Sequence, residues 1–171
     1  MSELVFLDTE TTGLIPGRHQ IWEAAYAVGL DGDVVHGLLQ HDMSTADPAA
    51  LHVNNYVDRT AGKDFDIIAA IKFEGAFKTA LRGATLVGAN PAFDASMLQA
   101  RWGEQIWHYR LLDVESYAMP ILGYDRPQGL AKITEDLRER GFEIYTADHS
   151  ARADVLALRD AYKALVYLKD E

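Results

Sequence analysis

Short apolar runs open the chain and are separated by polar punctuation. Leu4-Val5-Phe6-Leu7 contains no polar residue, the mark of a strand buried on both faces, and it stops at Asp8. Ile21 to Gly29 is rich in aromatic and β-branched residues and predicts a second strand. Asp31-Gly32 suits a two-residue hairpin turn, with Val34 to Leu39 returning as a third strand. The region from His41 to Lys63 is polar and without period, and reads as a long loop. Helical spacing runs from Phe65 to Leu81 and is stopped by Gly83. Thr85-Leu86-Val87-Gly88 is another buried strand, and Asn90-Pro91 opens a helix reaching about Arg101, with Asn as cap and Pro in the first turn. Tyr109 to Val114 reads as a fifth strand. Gly129 to Arg140 predicts a helix ended by Gly141, and Ser150 to Leu168 the last helix. Hairpin-joined strands followed by strand–helix alternation predict an α/β fold: a mixed sheet of about five strands with helices on its faces.

Composition narrows the class. A chain of 171 residues predicts a single domain, residues 1–171, with a substantial core. Hydrophobic residues at 49% and charged residues at 25% are the balance of a soluble globular protein. No apolar run approaches the roughly 20 residues that cross a bilayer, so no membrane partner is expected. Met1-Ser2-Glu3-Leu4 lacks the basic start of a secretory signal, and a cytoplasmic location is expected. The absence of cysteine excludes disulfides and thiolate metal sites. The net charge of -10 opposes long-range attraction to a polyanion, and the 16 Lys and Arg are scattered. A protein that grips only a strand end needs few phosphate contacts, and bound divalent ions supply local positive charge. Weak affinity for long duplex is therefore expected.

Several carboxylates sit where a core should be. Asp8 ends an all-apolar strand, and Glu10 shares its face because strand side chains alternate. Two anions side by side raise each other's pKa, whereas a hard divalent ion such as Mg²⁺ or Mn²⁺ turns them into a site. A second such triplet, Asp113-Val114-Glu115, shows that the pattern alone is weak. The first is distinguished by its sequel, Thr11-Thr12-Gly13-Leu14: hydroxyls that can reach a sugar or phosphate, a glycine permitting close backbone approach, and an apolar edge for a base. The bland alternative for these four is a tight turn. On the last helix the apolar stripe of Leu158, Ala161, Tyr162, Leu165 and Leu168 extends back by four onto Asp154. Asp94 stands in the first turn after Asn90-Pro91, where open α/β sheets place their sites. His149 precedes the last helix. His19, His36, His41, His52 and His108 are isolated by comparison.

Taken in order, these segments resemble the three motifs of the DnaQ-like exonucleases over nearly the whole chain. Phe6-Leu7-Asp8-Thr9-Glu10-Thr11-Thr12-Gly13-Leu14 is similar to the first, Gly88-Ala89-Asn90-Pro91-Ala92-Phe93-Asp94 to the second, and His149-Ser150-Ala151-Arg152-Ala153-Asp154 to the third. Histidine at 149, with Ser150 where another branch carries tyrosine, is similar to the DEDDh branch. Ala89 replaces a histidine frequent in the family, and Ala46 to Tyr56 lacks the loop sequence of many relatives. The resemblance implies an RNase H-like sheet of order 3-2-1-4-5 with strand 2 antiparallel. It implies a 3′→5′ exonuclease, acting on nucleic acid with single-stranded DNA as the first expectation, that uses two Mg²⁺ or Mn²⁺ ions. Asp8 would bridge the ions, Glu10 and Asp154 would hold one, and Asp94 would support the other. His149 would act as general base; Thr11 or Thr12, Gly13 and Leu14 would hold the 3′ end, with Phe93 either touching a base or filling the core. A polymerase or other replication protein is a possible partner. The rival expectations are an RNA enzyme like oligoribonuclease or RNase T, an endonuclease on the same fold, and a non-catalytic adaptor that binds strand ends.

Overall fold

The computed structural model of the chain describes residues 2–170. Strands β1 (Leu4–Thr11), β2 (Ile21–Val28) and β3 (Val35–Leu38) come first. Helices α1 (Pro48–Val53), α2 (Tyr56–Thr60) and α3 (Ile67–Leu81) follow. Then come β4 (Thr85–Gly88), α4 (Pro91–Trp102), β5 (Leu112–Asp113), α5 (Val114–Leu122), α6 (Leu130–Glu139) and α7 (Ala151–Asp170). They form one five-stranded sheet of order β3-β2-β1-β4-β5. β2 runs antiparallel to both β1 and β3, while β4 is parallel to β1 and to β5. This is the mixed five-stranded sheet that the hairpins and alternation predict, in the order that the motif resemblance implies.

The central position of β1 follows from its residues. Val5, Phe6 and Leu7 are all fully buried, odd positions on one face and even positions on the other. Val5 and Leu7 join Tyr26, Phe77, Leu81 and Leu98 in the layer made with α3 and α4. Phe6 joins Ala25, Ala27, Ile133, Val155, Leu158 and Leu165 in the layer made with α6 and α7. Burying each large side chain contributes about 1.5–3 kcal/mol, and the small Ala25 and Ala27 let α7 lie close to the sheet. No helix among the described residues is long and apolar enough to cross a membrane.

Five expectations are corrected. β1 does not stop at Asp8 but continues to Thr11, because Thr9 and Thr11 are buried and Glu10 stays paired with Glu23 of β2. The link between β2 and β3 is residues 29–34 rather than a two-residue turn on Asp31-Gly32. The supposed loop from His41 to Lys63 contains α1 and α2. Asp47 caps α1 by accepting from the Ala49 N–H at 2.9 Å, with Pro48 in the first turn. The fifth strand spans only Leu112–Asp113, and Val114 instead opens α5. The Asp113 carboxylate accepts from the N–H groups of Glu115 and Ser116, so the second acidic triplet is a helix cap. Asn90 begins α4 in the left-handed region (φ 59°) without the side-chain cap bond expected of it.

Candidate metal centre

The even-numbered face of β1 that buries Phe6 presents Asp8 and Glu10 at its far end, where full burial gives way to partial exposure. α7 approaches this face through its first turn. Ser150 fixes that end: its hydroxyl accepts from the Ala153 N–H at 3.3 Å and donates to Asp148 Oδ1 at 2.6 Å. Asp154 thus sits one turn into the helix, on the side of its apolar stripe. One carboxylate oxygen from each of Asp8, Glu10 and Asp154 lies within 4.8 Å of the others. Asp94 arrives from the opposite layer on α4, only 4% exposed, with its Oδ1 accepting from the Thr9 hydroxyl at 2.6 Å. It stands outside the tight trio but is the nearby charge that acts most on Asp8.

The electrostatics are unfavourable for bare carboxylates. Asp8 keeps a little exposure, yet burial pushes its pKa well up, and Asp94, Glu10, Asp154 and Glu23 push it further. Glu10 is raised to about 8 by burial and then by Asp154 and Glu23, with Arg59 and a hydrogen bond from Asn54 holding it back. Burial raises Asp94 to about 7 against the stabilising Thr9 hydroxyl. Asp154 is raised by burial and eased by His149. Its Oδ1 is buried with no hydrogen-bond partner. An unpaired buried charge costs several kcal/mol, and nothing basic among the described residues hydrogen-bonds this oxygen. A cluster of only carboxylate donors, one of them orphaned, fits a hard divalent cation such as Mg²⁺ or Mn²⁺ rather than a soft one.

The other predicted residues surround this cluster. His149 is exposed at the rim, in the left-handed region with φ 60°. Thr11 and Thr12 are buried, and the hydroxyls expected to face a ligand are engaged in the turn. Thr11 donates to the Gly13 carbonyl at 2.8 Å, and Thr12 accepts from the Gln20 N–H at 2.9 Å. Gly13 is required because a Cβ there would lie 2.3 Å from Nδ1 of His19. Leu14 is 71% exposed at the lip. Phe93 packs, half-buried, against the core layer of α3 and α4.

Four residues near the site carried no strong sequence signal. His19, set aside as isolated, is buried and accepts from the Ile15 N–H through Nδ1 at 2.9 Å, shaping the turn after β1. Asn54 donates to the Thr11 carbonyl at 2.9 Å. Glu23, 4% exposed, faces Glu10 across the β1–β2 ladder and binds Arg59 of α2. An acid inside the apolar run Ile21-Trp22-Glu23-Ala24-Ala25 was the one legible hint among them. No protein-family model matches the chain, and no curated protein matches it.

Proposed function

We propose that this chain is a metal-dependent 3′→5′ exonuclease that releases 5′-mononucleotides from the end of a nucleic-acid strand, single-stranded DNA first. The observation that carries the reading is the convergence of Asp8, Glu10 and Asp154, with an orphaned Asp154 oxygen, beside the buried Asp94. These four would hold two Mg²⁺ or Mn²⁺ ions. Bound there, the ions would offset charge on the phosphate and on the departing oxygen and acidify the attacking water. His149, exposed at the rim and close enough in charge to ease Asp154, takes the proton from that water. Thr9 fixes the orientation of Asp94. Leu14, projecting at the lip, supports the terminal base against solvent. The order of motifs resembling the DEDDh exonucleases supports a strand end as substrate, and the net charge of -10 favours a short grip over a long one.

The test is digestion of 5′-labelled single-stranded DNA, duplex DNA, RNA and circular single strands, with Mg²⁺ or Mn²⁺ and with EDTA. Stepwise shortening of the linear single strand that stops in EDTA is expected. Asp8→Ala and Asp154→Ala should abolish it while the circular dichroism spectrum is kept; wild-type rates in both would end the proposal. His149→Ala should lower kcat by about 10²–10⁴-fold. Faster digestion of short RNA would move the substrate to RNA, and cut circles would make the enzyme an endonuclease.

A further inference from the structure

We infer that Arg59 is a positioning residue for His149, acting through its carbonyl and through Glu23, which makes α2 part of the catalytic apparatus. The inference rests on His149 serving as the base proposed above. Arg59 Nη2 pairs with Glu23 Oε2, and the same oxygen accepts from the Ala151 N–H at 3.2 Å. Arg59 Nη1 donates to the His149 carbonyl at 3.2 Å and to the Asn54 carbonyl at 3.3 Å. One planar cation therefore grips the chain at residue 149 directly and at residue 151 through Glu23.

Two features make the grip rigid. The guanidinium lies over the Trp22 ring, 4.8 Å from its centroid, which fixes the plane of the fork. Trp22 can face Arg59 beside Glu23 because the β1–β2 register shifts there. Glu10 pairs with Glu23 and Thr11 with Ile21, which leaves Trp22 as the extra residue of a bulge. The second feature is the backbone of His149 itself. Its positive φ is one that residues with side chains keep only when neighbours impose it. Arg59 holds its carbonyl, and on the far side the Ser150 N–H is tied to Asp148 Oδ1 at 3.0 Å. Where the imidazole can point is set by these ties. Lysine offers a single ammonium and no plane to stack, so it cannot reproduce a fork that meets several acceptors.

The bland alternative is that Arg59 merely anchors α2. Arg59→Ala, Arg59→Lys and His149→Ala, singly and with Arg59→Ala combined with His149→Ala, separate the two in the full-length chain. Arg59→Ala should lower kcat by about 10- to 100-fold, the cost of a misplaced group, with KM changed by less than about twofold. Arg59→Lys should rescue little. In the His149→Ala background, Arg59→Ala should cost less than about twofold more, because it acts through a group no longer there. Two readouts need no activity. The imidazole ¹H–¹⁵N signals of His149, identified by their loss in His149→Ala, should shift in metal-free Arg59→Ala. Mn²⁺ affinity by calorimetry should change far less than in Asp154→Ala, because Arg59 is no ligand and acts on the acids only through the charge that eases Glu10. A lower melting temperature with unchanged kcat and unmoved His149 signals would reduce Arg59 to an anchor, and full additivity with His149→Ala would do the same. If the unaltered chain cut no nucleic acid, the proposed activity would fall, and the His149 signals alone would decide this inference.

Discussion

Glu10 and Glu23 face one another across β1 and β2, and their surroundings treat them differently. Glu23 has Arg59 and a backbone N–H as partners, whereas Glu10 is crowded by Asp8 and Asp154, with Asn54 and the charge of Arg59 easing it only in part. The consequence is a pH-dependent stability. Glu10 rises from 4.5 to about 8 and Asp94 from 3.8 to about 7. The ion-free folded protein therefore binds protons that the unfolded chain has released, and its stability falls as pH climbs from about 4 through about 8. Glu74, lowered by its bond to Arg101, acts below that window and does not mask it. In EDTA the melting temperature should decline steadily from about pH 5 to about pH 8, and the gain from added Mn²⁺ should grow over the same interval. A flat profile in EDTA would mean the acids are not crowded. Asp154 was legible because a helical stripe fixes which face a residue occupies. The pairing of Glu23 with Arg59 was not, since it depends on a strand register and on a helix that the local sequence does not announce.

Among the elements, the acidic triplet at 113–115 shows how identical spacing yields different chemistry. Asp8-Thr9-Glu10 lies within a strand, so its acids share a face; Asp113-Val114-Glu115 straddles a strand end and a helix start, so its first acid turns back onto N–H groups. Asp113 Oδ1 also accepts from the Asn90 N–H at 3.2 Å, linking the start of α5 to the start of α4. Asp113→Ala should cost about 0.5–2 kcal/mol in urea unfolding, and leave Mn²⁺ affinity within about twofold. A collapse of metal binding would instead make Asp113 a ligand. The long apolar strands and helices were readable from their periods. β5 and α5 were not, because Val114, buried either way, fits the end of a strand as well as the first turn of a helix. Likewise Asp47-Pro48 announced α1, but its six residues are too few to show a period.

At the scale of the molecule, the mixed sheet follows from where hairpins give way to alternation, while the order of its strands was expected only from the motif resemblance. A net charge of -10 opposes long-range attraction to the polyanion proposed as substrate. Raising NaCl from about 20 to about 150 mM at constant Mg²⁺ should leave kcat/KM on single-stranded DNA unchanged or higher, because screening shortens the repulsion. A steep fall, the signature of many phosphate contacts, would reveal a basic track that the scattered Lys and Arg do not suggest.

Asp8 lies on the first strand and Asp154 on the 20-residue α7, separated by most of the chain. A ribosome therefore exposes β1 well before it has made the helix that completes the cluster. Until α7 docks on Phe6, Ala25 and Ala27, the nascent protein has neither Asp154 nor His149 in place. Any ion held jointly by these acids can therefore be bound only after the tertiary core has closed.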